Sequence, residues 1–170
     1  MYKVNDAVLY ASHGVCMVVE VAEKMLGRQK AEYYVLQPLS DKATTLYVPT
    51  DSKPSTDKMR KLLSSDEIYS LLGIVPEGNP LWIENDAARK EHYTKILSDG
   101  DRAELIGLIK TLRERQAGFQ RAGGKKRLRA DDERFMKAAE KSLREEFAYV
   151  LKIHPEQVIP FILQTEAERE

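Results

Sequence analysis

Residue types that carry out chemistry are present in this sequence, but they do not form a recognised catalytic or metal-binding pattern. The histidines His13, His92 and His154 have no partners at the spacing of a metal site, and the single cysteine, Cys16, lies in an apolar run. Residues 118–126 are glycine-rich and basic, yet no strand precedes them and no Ser or Thr follows their lysines, so they do not fit a phosphate-binding loop. Acidic residues are scattered without a pairing typical of acid–base catalysis. The sequence therefore predicts a protein that is not an enzyme and that needs no metal or other cofactor.

Trp82, the only tryptophan, is the residue best suited to a binding role. It lies between a helical pattern that ends near residue 75 and another that begins near residue 85. One interpretation is a core side chain packed between helices, as most tryptophans are. The other is an aromatic wedge on a turn, which can stack on or insert beside an unpaired or bent base step. Arg89 and Lys90, one to two helical turns later, would then neutralise nearby phosphates.

Charge is unevenly distributed in this chain, whose formal net charge is zero. Residues 101–130 contain nine basic and three acidic side chains, whereas residues 131–170 contain six and ten. The basic stretch ends in a predicted exposed loop that contains Lys125, Lys126 and Arg127. A basic segment in a neutral chain is typical of phosphate contact. A solvated helix end and loop is the alternative interpretation.

Length and composition limit the class of protein further. The 170 residues suit one or two small domains. Apolar runs are too short to span a bilayer, and residues 1–6 lack the layout of a signal peptide. A single cysteine cannot form an internal disulfide, which fits a reducing compartment. We therefore expect a cytoplasmic protein that does not associate with membranes.

Two hydrophobic periodicities divide the chain. Short runs rich in Val, Tyr and Leu predict strands at residues 4–10, 15–21, 32–39 and 44–48, which form a small bent sheet or barrel in residues 1–52. The last strand ends at Pro49 and exposes an edge. Residues 53–63 are predicted to be a linker, and residues 64–170 have a helical period. The predicted fold class is α+β, with a β domain followed by an all-α domain. Helix N-caps are expected at Ser64, at Asn85 or Asp86, at Asp101 and at Asp131 or Asp132, with a last helix opening at Pro155.

Several short segments occur in an order typical of a known family. They are Tyr2-Lys3-Val4-Asn5-Asp6-Ala7-Val8-Leu9-Tyr10-Ala11-Ser12-His13-Gly14-Val15, Glu32-Tyr33-Tyr34-Val35-Leu36, Tyr47-Val48-Pro49, Trp82-Ile83-Glu84-Asn85 and Ser98-Asp99-Gly100-Asp101. Over essentially its whole length the chain resembles the CarD/CdnL family of bacterial transcription regulators, in the Firmicute-type branch. Its first half also resembles the RNA polymerase-interacting domain of transcription-repair coupling factors.

The resemblance implies a Tudor-like N-terminal barrel that binds the β subunit of bacterial RNA polymerase, with Lys24, Tyr47 and Val48 as contacts. It also implies a helical domain that contacts promoter DNA at the upstream edge of the transcription bubble. There Trp82 would act as a wedge that slows bubble collapse, with Arg89 and Lys90 on phosphates. Lys125, Lys126 and Arg127 of the basic loop are further candidate DNA contacts.

Three positions depart from the family pattern. Asn5 replaces the usual glycine before Asp6, and Tyr47 replaces an arginine of the mycobacterial type, which makes that contact less electrostatic. Trp82 lies a few residues farther from Gly100 than in the mycobacterial pattern. A shift of three residues along a helix moves a side chain by about 5 Å.

The predicted function is a transcription initiation regulator that stabilises the promoter open complex and acts as a monomer. An adaptor that binds polymerase and a second protein, but not DNA, is the alternative. A nucleic-acid binder that acts without polymerase is a third possibility.

Overall fold

The computed structural model describes residues 1–10, 13–76, 78 and 80–164. The chain divides into two compact units, Met1–Leu63 and Ser64–Glu170. Strands fill the first unit and helices the second, so the predicted α+β fold class is confirmed. Ala11 and Ser12, which belong to the family-like start of the sequence, and residues 165–170 lie outside the described residues.

The first unit contains a five-stranded antiparallel sheet. Its elements are β1 (Ala7–Tyr10), β2 (Val15–Leu26), β3 (Gln29–Pro38), β4 (Leu46–Pro49), the short helix α1 (Lys53–Thr56) and β5 (Met59–Lys61). The strand order is β4-β3-β2-β1-β5, which leaves β4 and β5 at the two edges. The core side chains alternate along the strands, as the period of two requires. They are Val8, Cys16, Val18, Tyr34, Leu36, Val48 and Met59.

The hairpin of β2 and β3 is longer than the sequence predicted. Pairing continues from Cys16 opposite Pro38 to Leu26 opposite Gln29. Gly27 begins the connecting turn with a φ of 66°, a backbone conformation that favours glycine in tight hairpin turns. The register shifts between Val18 and Glu20, and such a bulge bends and twists a strand.

The predicted linker is instead structured over most of its length. Residues 53–56 form α1, and β5 pairs with β1, with Leu9 opposite Arg60. Met59 is buried in the core of the sheet. The run from Pro54 through Lys58 is polar, so the sequence pattern offers little indication that a three-residue strand follows it.

The second unit consists of five helices in its described residues. They are α2 (Ser65–Ile74), α3 (Asp86–Asp99), α4 (Arg102–Arg121), α5 (Ala130–Leu151) and α6 (Pro155–Leu163). Ser64, Asn85 and Asp101 accept the backbone N–H groups of Glu67, Ala88 and Glu104, which confirms three of the predicted N-caps. The predicted cap at Asp131 or Asp132 is wrong, because α5 begins at Ala130 and both carboxylates lie in its first turn.

The centre of α4 forms the core of this unit. Every residue from Leu105 to Leu112 is buried, and α4 and α6 both pack against α5. None of the helices in the described ranges combines the length and hydrophobicity that a membrane crossing requires.

Candidate functional site

The backbone before Trp82 is fixed by contacts with two helices. The N–H of Leu81 donates to Thr111 Oγ1 of α4 at 3.1 Å, and the Leu81 carbonyl accepts the Tyr93 hydroxyl of α3 at 3.0 Å. Leu81 also packs over Gly107, where a Cβ atom would lie 3.1 Å from Leu81 Cδ1. Trp82 therefore follows an anchored residue, which limits the positions that its ring can reach.

The Trp82 ring is half-buried and lies between two guanidinium groups. Its Nε1 donates to Glu84 Oε1 at 3.0 Å. The ring centroid lies 4.4 Å from the Cζ of Arg89 and 3.4 Å from the Cζ of Arg115. The ring is neither an enclosed core side chain nor a free wedge, because cations cover its faces while part of the side chain reaches solvent.

Arg89 is buried and paired, which corrects its expected role as a phosphate contact. Only 3% of its surface is exposed. Its Nε and Nη2 donate to the two carboxylate oxygens of Asp132 at 2.9 and 3.0 Å, and Nη2 also donates to Asp86 at 2.8 Å. Its Nη1 donates to the Ile83 carbonyl at 2.9 Å. Because its donors already have acceptors, Arg89 supports the Trp82 segment from within the helical unit rather than meeting phosphates.

The pKa values of two groups near Trp82 depart from their ordinary values. The hydrogen bond to Asp132 raises the pKa of Arg89, and burial opposes this by a smaller amount. Burial raises the pKa of Tyr93 to about 12; the charge of Asp132 adds to this, and Arg89 and Arg115 oppose it. Both groups keep their protons at neutral pH, so the tyrosine stays a hydrogen-bond donor to Leu81.

The remaining predicted DNA contacts are exposed. Lys90 lies on the solvent side of α3, and Lys125, Lys126 and Arg127 lie in the loop between α4 and α5. Two neighbouring arginines are paired, Arg121 with Glu114 at 2.8 Å and Arg129 with Asp86 at 3.2 Å. Among the described residues the three cations of the loop form no ion pair, so their charges are available to an anionic ligand.

Two residues of this region were not predicted from the sequence. Arg115 and Phe119 are four residues apart in α4, a spacing that places side chains on the same helix face. The Arg115 Cζ lies 5.7 Å from the Phe119 ring centroid, and Lys126 Nζ lies 5.9 Å from it. The (i, i+4) spacing was a usable signal, but nothing in the sequence indicated that Arg115 would reach back to Trp82.

The candidate polymerase contacts lie in the first unit, and one of them is buried. Tyr47 is 44% exposed on β4, whereas Val48 is fully buried in the core of the sheet. The Val48 side chain therefore faces the core and not a partner, since successive residues of a strand face opposite sides. Val48 can take part only through its backbone, which lies in an edge strand.

Tyr47 and Lys24 are connected across three strands. Tyr47 of β4 is opposite Val35 of β3, and Val35 is opposite Glu20 of β2. Residues opposite each other share a face, so Tyr47 and Glu20 lie on one face about 10 Å apart, twice the usual strand spacing. Lys24 Nζ contacts Glu20 at 3.1 Å. The sheet thus places Tyr47, Glu20 and Lys24 in one exposed patch, in which Tyr47 also packs edge-on against Tyr33.

Comparison with known families bears directly on this unit. Residues 2–63 match the CarD-like/TRCF RID domain. The first unit is a CarD-like/TRCF RID domain. The family resemblance of the start of the sequence is thereby confirmed, and this domain supports an RNA polymerase-interacting role for the chain. No curated protein sequence matches the chain significantly.

No group of three or more His, Cys, Asp or Glu side chains is placed to hold a metal ion in the described part of the chain.

Proposed function

We propose that this CarD-like chain is a transcription initiation regulator that binds the β subunit of RNA polymerase and stabilises the promoter open complex. The observation that carries the proposal is the CarD-like/TRCF RID domain at residues 2–63. Next to it in the chain is a helical unit with a half-buried tryptophan and an exposed basic loop. The protein acts in the cytoplasm as a monomer, and it is not an enzyme.

The first unit binds polymerase through the edge strand β4 and the adjacent exposed patch. An edge strand offers unpaired N–H and C=O groups, to which an extended segment of a partner can add. Tyr47 supplies exposed aromatic area next to that edge, and aromatic residues are enriched where partners bind tightly. Lys24 adds a charged group at the other end of the patch.

The second unit contacts DNA at the upstream edge of the bubble. Lys90, Lys125, Lys126 and Arg127 are exposed cations that can neutralise phosphates without reading the sequence. Trp82 offers a ring that can insert beside a distorted base step or stack on an unpaired base. Arg89 is not part of this contact, because it is buried and paired with Asp132.

Tethering makes a weak DNA contact effective. Once polymerase binds the first unit, the second unit meets promoter DNA at a high effective concentration, and its affinity for free DNA becomes unimportant. Stabilisation of the open complex then requires only that the second unit binds melted DNA better than closed duplex, since a ligand shifts an equilibrium by its differential affinity. A neutral chain suits this design, because it does not coat DNA unaided.

An adaptor that joins polymerase to a second protein is the other candidate function. It is favoured by Tyr69 and Ile74 of α2, which are large apolar side chains with exposed fractions of 52% and 73%. In this alternative the basic loop would be ordinary solvated surface.

Photocrosslinking separates the two functions. Promoter DNA carries a crosslinkable base analogue at the upstream edge of the bubble, and the chain is added with and without polymerase. The proposed regulator crosslinks strongly only when polymerase is present. An adaptor does not crosslink in either case, and a binder that needs no polymerase crosslinks equally in both.

A further inference from the structure

Five side chains in the second unit form an alternating series of cations and aromatic rings, which we call the cation–aromatic ladder. In order they are Arg89, Trp82, Arg115, Phe119 and Lys126. Arg89 is buried, Trp82, Arg115 and Phe119 are half-buried, and Lys126 is exposed. One end of the ladder is thus part of the core and the other lies in the basic loop.

The two guanidinium groups cover opposite faces of Trp82. Carbon atoms that are not bonded approach to about 3.5 Å, so an Arg115 Cζ at 3.4 Å from the ring centroid lies directly over the ring centre. The Arg89 Cζ lies 4.4 Å from the ring centroid, and on the same face it would overlap with the Arg115 Cζ. Arg89 therefore covers the opposite face. Neither face of Trp82 can therefore accept a nucleic-acid base until one guanidinium moves.

Arg115 is the guanidinium that can move. Arg89 is bound by Asp132, Asp86 and the Ile83 carbonyl. Arg115 has no ion pair with any residue that the structure describes, and its buried Nε atom has no hydrogen-bond acceptor there. This contrasts with Arg113 and Arg121 of the same helix, which pair with Glu140 and Glu114. Ring contacts with Trp82 and Phe119 hold Arg115, and such contacts are weaker than buried ion pairs.

We infer that Arg115 is a gate on Trp82: it covers one ring face in the free protein and gives up that face to an unpaired nucleic-acid base. The released guanidinium then binds a phosphate of the same strand. Arginine suits both positions, because its planar group stacks on aromatic faces and also forms paired hydrogen bonds with phosphate oxygens. Phe119 and Lys126 lie farther along the ladder and provide the next ring and the next cation for the strand. This inference rests on the proposed DNA contact and specifies the part of the ligand that Trp82 meets.

Fluorescence tests the gate directly, because Trp82 is the only tryptophan in the chain. Acrylamide quenching is measured for the free full-length protein, for Arg115→Ala and for Arg121→Ala. Arg121→Ala is the matched control, because it removes the same charge from the same helix at a residue that pairs with Glu114. A larger quenching constant in Arg115→Ala alone supports the gate. Equal quenching of Arg115→Ala and wild type would overturn it.

The second part of the test uses a labelled oligothymidylate of about ten nucleotides at low salt, with binding followed by anisotropy. Binding is expected to change Trp82 emission. Loss of the Arg115 phosphate contact should lower the steepness of the salt dependence by about 0.7 in a plot of log K against log salt. Arg115→Lys should keep the wild-type salt dependence, because it keeps the charge. Its Trp82 fluorescence should be quenched by acrylamide more readily than that of wild type, because lysine lacks the planar group that stacks on the ring.

Two results with the oligonucleotide would overturn the inference. One is saturated binding without a change in Trp82 emission, and the other is no binding even at low salt. Either result leaves the proposed function to its own test, since the lifetime of an open complex is measured with polymerase and promoter present.

Discussion

Arg89 and Asp132 form a bidentate ion pair between α3 and α5, with both side chains buried and N–O distances of 2.9 and 3.0 Å. The pair joins the first turn of one helix to the first turn of the other. Arg89 also contacts the Trp82 ring, so the ion pair determines the position of one covering group of the candidate DNA-binding residue.

Removal of Asp132 should destabilise the helical unit strongly. Asp132→Ala leaves a buried guanidinium without its main partner, and breaking a buried pair from one side costs about 3 kcal/mol or more. The measurement is urea denaturation followed by circular dichroism. Asp131→Ala is the matched control, because Asp131 pairs with the exposed Arg134, and such a surface pair contributes about 1 kcal/mol or less. Equal losses in the two variants would contradict the structural role of the buried pair.

Tyr93 should make the stability of the helical unit depend on alkaline pH. Burial raises its pKa to about 12 from an ordinary value of 10.0, so the native state keeps the phenol proton after the unfolded chain has released it. The resulting stability is fully present below about pH 10 and declines as the pH rises towards about 12. Denaturation is measured across this range for wild type and for Tyr93→Phe.

The Tyr93→Phe variant should lose less stability than wild type over that range. At neutral pH it should already be less stable by about 1 kcal/mol, because the hydrogen bond to the Leu81 carbonyl is gone. Two curves that fall in parallel at alkaline pH would show that Tyr93 does not titrate as its burial requires.

The sequence predicted the helices of the second unit well because their caps are local signals. Ser64, Asn85 and Asp101 each accept an N–H from three residues later, a contact that depends only on nearby residues. The aspartates of α5 were assigned wrongly because Asp132 pairs with a residue 43 positions away. A side chain that can serve as a cap and as an ion-pair partner has the same local pattern in both cases.

Only part of the candidate site could be predicted, because only part of it depends on local signals. Trp82 and the basic loop could be identified from residue type and local charge. The burial of Arg89, the contact of Arg115 with Trp82 and the pairing of β5 with β1 depend on tertiary packing, which neither periodicity nor composition reports. In β4, however, the period of two distinguishes the buried Val48 from the exposed Tyr47, so this difference could be predicted from the sequence.

Changes in the exposed patch of the first unit should weaken binding to polymerase. Tyr47→Ala combined with Lys24→Glu removes an exposed ring and reverses a charge without altering the buried core. A pull-down with the polymerase β subunit should show reduced capture of this variant. Tyr69→Ala is the matched control, since Tyr69 is similarly exposed but lies on α2 of the other unit. Capture that is equal for the double variant and wild type would exclude this face as the docking surface.

Charge reversal in the basic loop should weaken DNA binding and its dependence on salt. Replacement of Lys125, Lys126 and Arg127 by Glu removes up to three interactions with phosphates. Removal of each such interaction should lower the steepness of a plot of log K against log salt concentration by about 0.9 on duplex DNA. The chain's contribution to open-complex stability is measured at several salt concentrations, with reversal of the exposed Lys137 and Lys141 on α5 as the control. A salt dependence unchanged by the loop substitutions would identify the loop as solvated surface.

The lifetime of the promoter open complex formed with Trp82→Ala tests whether Trp82 stabilises melted promoter DNA. Stacking of a base on an aromatic ring contributes about 1–3 kcal/mol, so the variant should shorten the lifetime by about 5-fold to 150-fold, down to the limit set by polymerase alone. Circular dichroism and capture by polymerase are measured in parallel, and both should match wild type. A folded, polymerase-bound Trp82→Ala chain that preserves the wild-type lifetime would show that Trp82 does not stabilise the open complex.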